Sequence, residues 1–307
     1  MYESYYGFSK RPFSLALDSD FLYMGKTHSA AFAMLEYGVL SQAGFTVITG
    51  EVGSGKTTLI HHLLSKINDQ VTVGLINNTS RNMGELLPWI LYSFKLEYRE
   101  ENKVALYENF SRFLTEQHDR QQRTVLLVDE AQNLDTDVLD ELRMLSNLNA
   151  TSEQFLQIIL VGQPELRRLL NQRKLMQFSQ RVAADYHIAP LSIEETIAYI
   201  KYRLVKAGAV QDVFTPHAYI VVHVASRGVP RLINILCDTA LSFAFGDDIQ
   251  LIDENYIKDV LRERAEGGLL ALGQDPLKLL GDEAYANPNL DELFDEVSEA
   301  LKRRSNH

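Results

Sequence analysis

The feature that most constrains the fold is the glycine-rich stretch Gly50-Glu51-Val52-Gly53-Ser54-Gly55-Lys56-Thr57. It follows the apolar run 45–48 and precedes the helical pattern 58–64, so its context predicts a strand, a loop and a helix. Glycines permit positive φ and leave backbone N–H groups open to a phosphate, which the N-terminus of the next helix also attracts. The spacing G-x-x-x-x-G-K-[ST] therefore predicts a phosphate-binding loop for a nucleoside triphosphate.

Individual residues of this loop have distinct expected tasks. Lys56 can reach the β- and γ-phosphates as a point charge, and the hydroxyl of Thr57 can bind Mg²⁺. Thr58, the next residue of the helix, is expected to contact the nucleotide as well. His28 lies just before a predicted helix over 30–40, where it is either a packing histidine or part of an adenine pocket.

A second informative stretch is the apolar run 124–128, which ends in Asp129 and Glu130. A continuous apolar run favours a strand that is covered on both faces, as in a parallel sheet. Because ligands of open α/β sheets bind beyond the C-terminal ends of the strands, we expect both carboxylates in that crevice. Asp129 is then placed to hold Mg²⁺ and Glu130 to polarise an attacking water, whereas an acidic strand end without chemistry is the alternative.

A further buried strand is predicted over 156–162 and ends at Gln163. The amide of Gln163 can contact the γ-phosphate or the water, although a plain strand-end amide would look the same. The segment that follows is rich in arginine, and any one arginine is by itself as readily a solvated surface charge. The arginines of this segment are Arg167, Arg168, Arg173 and Arg181.

The alternation of strands and helices predicts a doubly wound α/β domain with a parallel sheet, although the residues alone leave the strand order open. Helix-start signals at Ser192, Thr215, Pro230 and Asp253 predict a small all-helical domain after it. We expect four parts: an aromatic-rich segment 1–27 lying across the α/β domain, the α/β domain 28–190, the helical domain 191–265, and an acidic linker 266–307 with a short helix at 290–301.

Charge, cysteine content and hydrophobic runs limit the partners and the location that we expect for this protein. The net charge of −11 disfavours a protein-wide attraction for nucleic acid, and the single cysteine, Cys237, excludes an internal disulfide. No basic segment followed by an apolar one opens the chain, and no run of about 18 apolar residues occurs. These features indicate a cytoplasmic protein with at most peripheral membrane contact.

Taken together, these motifs resemble those of AAA+ ATPases. In that family the stretch 50–57 is Walker A, Leu127-Val128-Asp129-Glu130 is Walker B, and Gln163 matches sensor 1. The resemblance implies a P-loop domain with a lid, and it makes Arg231, in Gly228-Val229-Pro230-Arg231, the sensor 2 residue that reaches the nucleotide from that lid.

The same resemblance implies the chemistry of the site. ATP with Mg²⁺ is hydrolysed, and the catalytic residues are Lys56, Glu130, Gln163 and Arg181. Arg181 matches the arginine finger, which enters the site of a neighbouring subunit. Such an arginine accelerates phosphoryl transfer by ~10³–10⁵-fold. A homo-oligomer follows from that role. Asn77 or Asn78 lies where family members carry a polar residue that restrains the catalytic glutamate.

A narrower resemblance, over residues 1–265, is to the ExeA/GspA group of secretion-pathway ATPases. It rests on Tyr5-Tyr6-Gly7-Phe8, Arg11-Pro12-Phe13-Ser14-Leu15, Asp129-Glu130-Ala131-Gln132-Asn133-Leu134, Gly162-Gln163-Pro164-Glu165-Leu166 and Gln180-Arg181-Val182. Larger members continue into a membrane span and a peptidoglycan-binding domain. Neither occurs in these 307 residues, so we expect the shorter MshM-like arrangement rather than direct remodelling of the cell wall.

Three functions remain open at this point. The resemblance implies an ATPase that assembles or remodels a bacterial cell-envelope secretion, pilus or polysaccharide-export machine, at the inner face of the inner membrane and with protein partners of that machine. TniB/TnsC-type regulators of DNA transposition share the same core, but the net charge of −11 disfavours DNA as the partner. A nucleotide switch without hydrolysis is the third possibility, and the intact Glu130 with Arg181 disfavours it.

Overall fold

The computed structural model describes residues 1–16, 18–41, 44–67, 70–77, 79, 85–99, 102–146 and 155–267. The chain divides into two compact units, of which one is Lys26–Ala189 and the other joins Met1–Gly25 to the chain from Pro190 onwards. The predicted helix at 290–301 lies outside the described residues. No helix in the described ranges is both long and apolar enough to cross a membrane.

The regular elements alternate as the sequence predicts. The strands are β1 (Phe45–Gly50), β2 (Val71–Ile76), β3 (Arg123–Val128), β4 (Leu156–Gly162) and β5 (Val182–Ile188). The helices are α1 (Tyr2–Tyr6), α2 (Lys26–Leu40), α3 (Lys56–Lys66), α4 (Leu86–Ser93), α5 (Lys103–Asp119), α6 (Thr136–Leu145), α7 (Pro164–Leu170), α8 (Met176–Ser179), α9 (Ile193–Ala207), α10 (Pro216–Ser226), α11 (Pro230–Gly246) and α12 (Glu254–Gly267).

The five strands form one parallel sheet in the order β2-β3-β4-β1-β5. Strand β4 therefore lies between the strand that precedes the glycine loop and the strand that precedes the acidic pair. Thr49 is paired with Gly162, and Val128 is paired with Leu160. Because parallel strands end at the same edge, this order brings three motif-bearing strand ends together, which the residues alone did not determine.

Helices cover both faces of the sheet. Apolar side chains of alternate positions on β1, β3 and β4 pack on helices α4 to α8, and α2 and α3 pack on the opposite face. Every residue of β1 and β4 is buried, which explains why these strands read as continuous apolar runs. The predicted doubly wound α/β fold is confirmed.

The second unit contains the helices predicted after residue 190. Ser192 and Glu195 form the capping box at the start of α9, and Gly208 ends that helix in the left-handed region with φ 99. The Thr215 side chain accepts from the Ala218 backbone at the start of α10. Each cap satisfies backbone groups that a helix end leaves open, so local chemistry decides these boundaries.

The aromatic N-terminal segment belongs to this helical unit, whereas the sequence predicts that it lies across the α/β domain. Tyr2, Phe8, Phe13 and Phe21 are buried in one core with residues of α9 to α12. Arg203 on α9 is buried and donates through Nε to the Pro12 carbonyl at 2.6 Å. The apolar faces of α9 and α11 thus bury the aromatic rings, and a buried guanidinium satisfies the carbonyls of an irregular segment.

Candidate nucleotide-binding site

The glycine loop connects the end of β1 to the start of α3 and depends on its glycines. Gly53 and Gly55 have φ values of 82 and 95, a region that side chains rarely adopt. A Cβ added to Gly55 would lie 2.9 Å from Nε2 of His28, and one added to Gly50 would lie 2.7 Å from Oγ of Ser54. The loop is therefore closely packed around a backbone that only glycine adopts without strain.

Lys56 begins α3, and its side chain lies along the loop. Its Nζ donates to the Gly50 carbonyl at 2.7 Å and to the Glu51 carbonyl at 2.8 Å. Burial lowers the pKa of Lys56, and the carboxylates of Glu130, Asp129 and Glu51 oppose that shift. An ammonium with three N–H donors that is held beside the loop is suited to meet a phosphate oxygen.

Ser54 supports the assignment of the loop to phosphates. The residue is only 2% exposed, and its hydroxyl has no hydrogen-bond partner among the described residues. A buried hydroxyl without a partner costs free energy, so a ligand oxygen at this position would stabilise it. The residues present thus fit a bound triphosphate.

His28, in the first turn of α2, contacts the backbone of the same loop. Its Nε2 lies 2.8 Å from the Ser54 carbonyl. Because a carbonyl only accepts hydrogen bonds, Nε2 must carry the proton. The structure therefore places the predicted site residue His28 against the loop backbone.

The acidic end of β3 meets the start of α3. The Thr57 hydroxyl donates to Oδ2 of Asp129 at 3.2 Å, and the Glu130 backbone N–H donates to Oδ1 at 2.8 Å. Burial raises the pKa of Asp129, the carboxylate of Glu130 raises it further, and these two hydrogen bonds oppose the shift. A hydroxyl and a carboxylate side by side are the kind of oxygen ligands that Mg²⁺ takes.

The number of protein oxygens at this position also suits Mg²⁺. Among the described residues, no group of three or more His, Cys, Asp or Glu side chains could hold a metal ion. Mg²⁺ is usually bound by one or two protein oxygens together with phosphates and waters. Thr57 and Asp129 match that requirement.

Glu130 has an unusual backbone that a neighbouring threonine supports. Its φ of 54 and ψ of 34 place it in the left-handed region, which costs about 1–3 kcal/mol for a residue other than glycine. The Thr79 hydroxyl lies 2.6 Å from the Glu130 carbonyl and 3.2 Å from the Asp129 carbonyl. The resemblance to AAA+ ATPases implies that Asn77 or Asn78 restrains this glutamate; Asn77 is exposed, and Asn78 lies outside the described residues.

The Glu130 carboxylate meets two glutamines. Gln163, which follows β4, donates through Nε2 to Oε2 of Glu130 at 3.1 Å. Gln132 donates through Nε2 to the same oxygen at 2.5 Å, and its Oε1 accepts the Gln163 backbone N–H at 2.9 Å. Sequence patterns alone did not reveal a role for Gln132 or Thr79, because the Gln132–Gln163 and Thr79–Glu130 contacts form only when the sheet brings separate strand ends together.

The predicted arginines lie in segments other than the glycine loop and the end of β3. Arg181 precedes β5 and donates to the Ser146 hydroxyl at 3.1 Å and to the Arg143 carbonyl at 3.4 Å, at the end of α6. Arg167 and Arg168 are exposed on α7, and Arg173 is exposed after it. Arg231 is exposed in the first turn of α11 and belongs to the helical unit.

Comparison with known proteins agrees with this geometry. Residues 39–170 match the family described as AAA domain. Over 246 residues the chain is 42% identical to general secretion pathway protein A of Aeromonas hydrophila. The aligned region covers 80% of this chain and 45% of that protein. The chain thus spans less than half the length of this relative.

Solved structures with low sequence identity share the fold. ORC2 of Aeropyrum pernix, solved in ADPNP-ADP complexes, is 15% identical with a TM-score of 0.60. The match covers 83% of this chain and 72% of the ORC2 chain. Cdc6p of Pyrobaculum aerophilum is 15% identical with a TM-score of 0.60, and the match covers 82% of this chain and 70% of that one. The RuvB Holliday junction branch migration motor of Thermotoga maritima is 17% identical with a TM-score of 0.52, and the match covers 84% of this chain and 75% of that one. The chain therefore belongs to the AAA+ proteins, and within them it is related to general secretion pathway protein A.

Proposed function

We propose that this protein binds ATP with Mg²⁺ and hydrolyses it to ADP and phosphate. The observation that supports this most is the joining of three strand ends at one edge of the sheet. There the Thr57–Asp129 pair and the Glu130–Gln163 contact are joined through the Glu130 backbone N–H, and Lys56 of the glycine loop interacts electrostatically with both carboxylates. Hydrolysis by phosphoryl transfer requires this combination of phosphate-binding groups, metal ligands and a group that orients the attacking water.

The loop would hold the phosphates. Backbone N–H groups of 50–57 and the N-terminus of α3 attract their negative charge, and Lys56 adds a full positive charge. Thr57 and Asp129 would hold Mg²⁺, which supplies charge neutralisation between the β- and γ-phosphates. His28 keeps the Ser54 carbonyl in place, and we propose that it also borders the adenine pocket.

Glu130 would act on the attacking water. Its carboxylate orients the water and accepts a proton from it while the water oxygen forms a bond to the γ-phosphorus and the bond to the ADP oxygen breaks. Gln163 contacts Oε2 of Glu130, so it lies where its amide can also meet the γ-phosphate or the water. The proton taken up by Glu130 then leaves to solvent with the product phosphate.

Two arginines would complete the site. Arg231, in the helical unit, is proposed to act as sensor 2 on the bound nucleotide. Arg181 is proposed to act as the arginine finger towards a neighbouring subunit, which requires a homo-oligomer. Its present contacts to Ser146 and the Arg143 carbonyl show that a defined environment holds its guanidinium.

The work done by hydrolysis is proposed from the relative. The match of 42% over 246 residues to general secretion pathway protein A supports assembly or remodelling of a bacterial cell-envelope secretion, pilus or polysaccharide-export machine at the inner face of the inner membrane. A DNA-transposition regulator is the second possibility. The net charge of −11 disfavours DNA as the partner, and structural neighbours of low identity bear only on the fold.

Phosphate release from purified protein tests the enzymatic part of this proposal. We expect Mg²⁺-dependent turnover that a chelator abolishes, and a loss of ~10²–10⁴-fold in Glu130→Gln with nucleotide affinity retained. Glu116→Gln, an exposed change on α5, is the matched control. Equal turnover in Glu130→Gln and the unaltered protein would refute the role of Glu130.

The biological part is tested with the Glu130→Gln protein loaded with ATP. We expect it to retain components of an envelope machine from a bacterial membrane extract, and to bind DNA weakly at physiological salt. Tight, ATP-dependent and salt-sensitive assembly on DNA would instead favour the transposition regulator.

A further inference from the structure

Three side chains at the end of β3 and β4 form a closed ring of hydrogen bonds. Gln132 and Gln163 both donate to Oε2 of Glu130, at 2.5 and 3.1 Å, and Oε1 of Gln132 accepts the backbone N–H of Gln163 at 2.9 Å. The orientation of the Gln132 amide is chemically determined, because a carboxylate only accepts and a backbone N–H only donates. Gln132 thus connects the backbone after β4 to the carboxylate after β3.

Gln132 is also closely packed against the last residue of β4. A Cβ added to Gly162 would lie 2.8 Å from Oε1 of Gln132, so the absence of a side chain at this glycine leaves room for the amide. Gln132 itself lies in the short 3₁₀ turn Ala131–Asn133, which begins directly after Glu130. The amide therefore links the end of β4 to Glu130 through two hydrogen bonds.

We propose that Gln132 is a positioning residue that sets the direction of the Glu130 carboxylate for the attack of water. This inference rests on the proposed ATP hydrolysis. Two amides hold Oε2, and among the described residues no hydrogen bond to Oε1 occurs, so Oε1 is the oxygen that accepts the proton from water.

The link through the Gln163 backbone gives Gln132 a role that Gln163 itself cannot fill. When the side chain of Gln163 turns to a γ-phosphate, its hydrogen bond to Glu130 is lost. The contact between the Gln163 N–H and Gln132 does not involve that side chain, so turning of the side chain does not break it. Gln132 then keeps Glu130 oriented at the moment when nucleotide occupies the site.

Two substitutions separate this role from simple support of the turn. Gln132→Met keeps the length of the side chain and loses both hydrogen bonds. Gln132→Glu retains an acceptor for the Gln163 N–H but places a second carboxylate against Glu130. Gln172→Met, at an exposed position after α7, is the matched control. Melting temperature and nucleotide affinity are measured for each protein beside the rate of phosphate release.

We expect Gln132→Met to lower kcat by ~10- to 100-fold, because misplacement of a catalytic group by about 1 Å costs this much. KM and nucleotide affinity should stay within about twofold, since the ground-state contacts of the nucleotide are untouched. Gln132→Glu should lose more than Gln132→Met. A role confined to supporting the turn predicts instead that Gln132→Glu stays active, because it keeps the acceptor for the Gln163 N–H.

A double-mutant cycle with Glu130→Gln completes the test. If Gln132 acts through Glu130, Gln132→Met adds no further loss to the residual turnover of Glu130→Gln. Additive losses, or unchanged kcat in Gln132→Met, would overturn the inference while leaving the proposed ATPase intact. Absence of turnover in the unaltered protein would overturn both.

Discussion

Thr57 donates a hydrogen bond to Oδ2 of Asp129 at 3.2 Å, although the two residues are 72 positions apart in the chain. The contact joins the first turn of α3, at the glycine loop, to the end of β3. Because β4 separates β3 from β1 in the sheet, this contact spans the width of one intervening strand. The contact links the glycine loop to the acidic pair, and the proposed hydrolysis would benefit because groups that are already in place need little reorganisation.

Lys56→Ala should abolish nucleotide binding. The substitution removes a buried ammonium that lies 2.7 and 2.8 Å from two loop carbonyls, and a hydrogen bond to a charged group contributes about 1.5–3 kcal/mol. We expect affinity for a fluorescent ATP analogue to fall roughly 100-fold or more. Lys66→Ala, an exposed lysine at the end of the same helix, should bind normally. Retained affinity in Lys56→Ala would refute the phosphate-loop assignment.

Gly55→Ala should destroy the loop in a different way. The new Cβ would lie 2.9 Å from Nε2 of His28, at a backbone φ of 95. Strain of this kind costs about 1–3 kcal/mol, so we expect a lower melting temperature together with the loss of nucleotide binding. Gly246→Ala, where a Cβ meets nothing within 4 Å, is the control and should change neither quantity. Normal ATP affinity in Gly55→Ala would show that this backbone is not needed.

Arg181→Ala should lose turnover while it keeps ATP affinity. If Arg181 acts on a neighbouring subunit, mixing Arg181→Ala with Lys56→Ala protein should restore part of the activity, because one variant supplies the intact site and the other supplies the arginine. Matched single substitutions of Arg167, Arg168 and Arg173 show whether another arginine is responsible. Turnover per subunit that does not vary with protein concentration would count against an oligomeric site.

His223 should make the stability of the helical unit depend on pH. Its Nδ1 lies 2.9 Å from the Thr196 hydroxyl, and burial lowers its pKa below 6.5, with the charge of Glu194 opposing. The unfolded chain therefore binds a proton before the folded one does as pH falls. The stabilising effect is complete above pH ~6.5 and is lost progressively as pH falls below that value towards the folded pKa.

The measurement for His223 is the melting temperature at about pH 7.5 and about pH 5.5. We expect the difference between the two to shrink in His223→Gln and to remain in His217→Gln, an exposed histidine on the same helix. An unchanged pH dependence in His223→Gln would mean that other groups carry the effect.

The sequence predicts those parts of this protein that depend on neighbouring residues. The glycine loop, the capping box at Ser192 and the left-handed helix end at Gly208 all follow from backbone and capping preferences over a few positions. The apolar runs at β1, β3 and β4 indicate burial on both faces of each strand, so the sequence alone predicts the α/β class. The candidate site residues 50–58, 129, 130 and 163 all stand at strand ends that such patterns reveal.

Other features depend on which segments meet in space. The aromatic segment 1–25 could have covered any apolar surface, and the buried Arg203 together with the faces of α9 and α11 determined its place. The order of the strands likewise follows from packing of the crossover helices rather than from any local signal.

By itself, the sequence determined the phosphate loop, the acidic strand end and the helical unit, because each is encoded by φ preference, period or capping within a short window. Only the tertiary structure decided that β3 lies between β2 and β4, and therefore that Thr79 and Gln163 reach Glu130. The physical reason is that a hydrogen bond between distant residues exists only after the sheet has brought their strand ends within about 3 Å of each other.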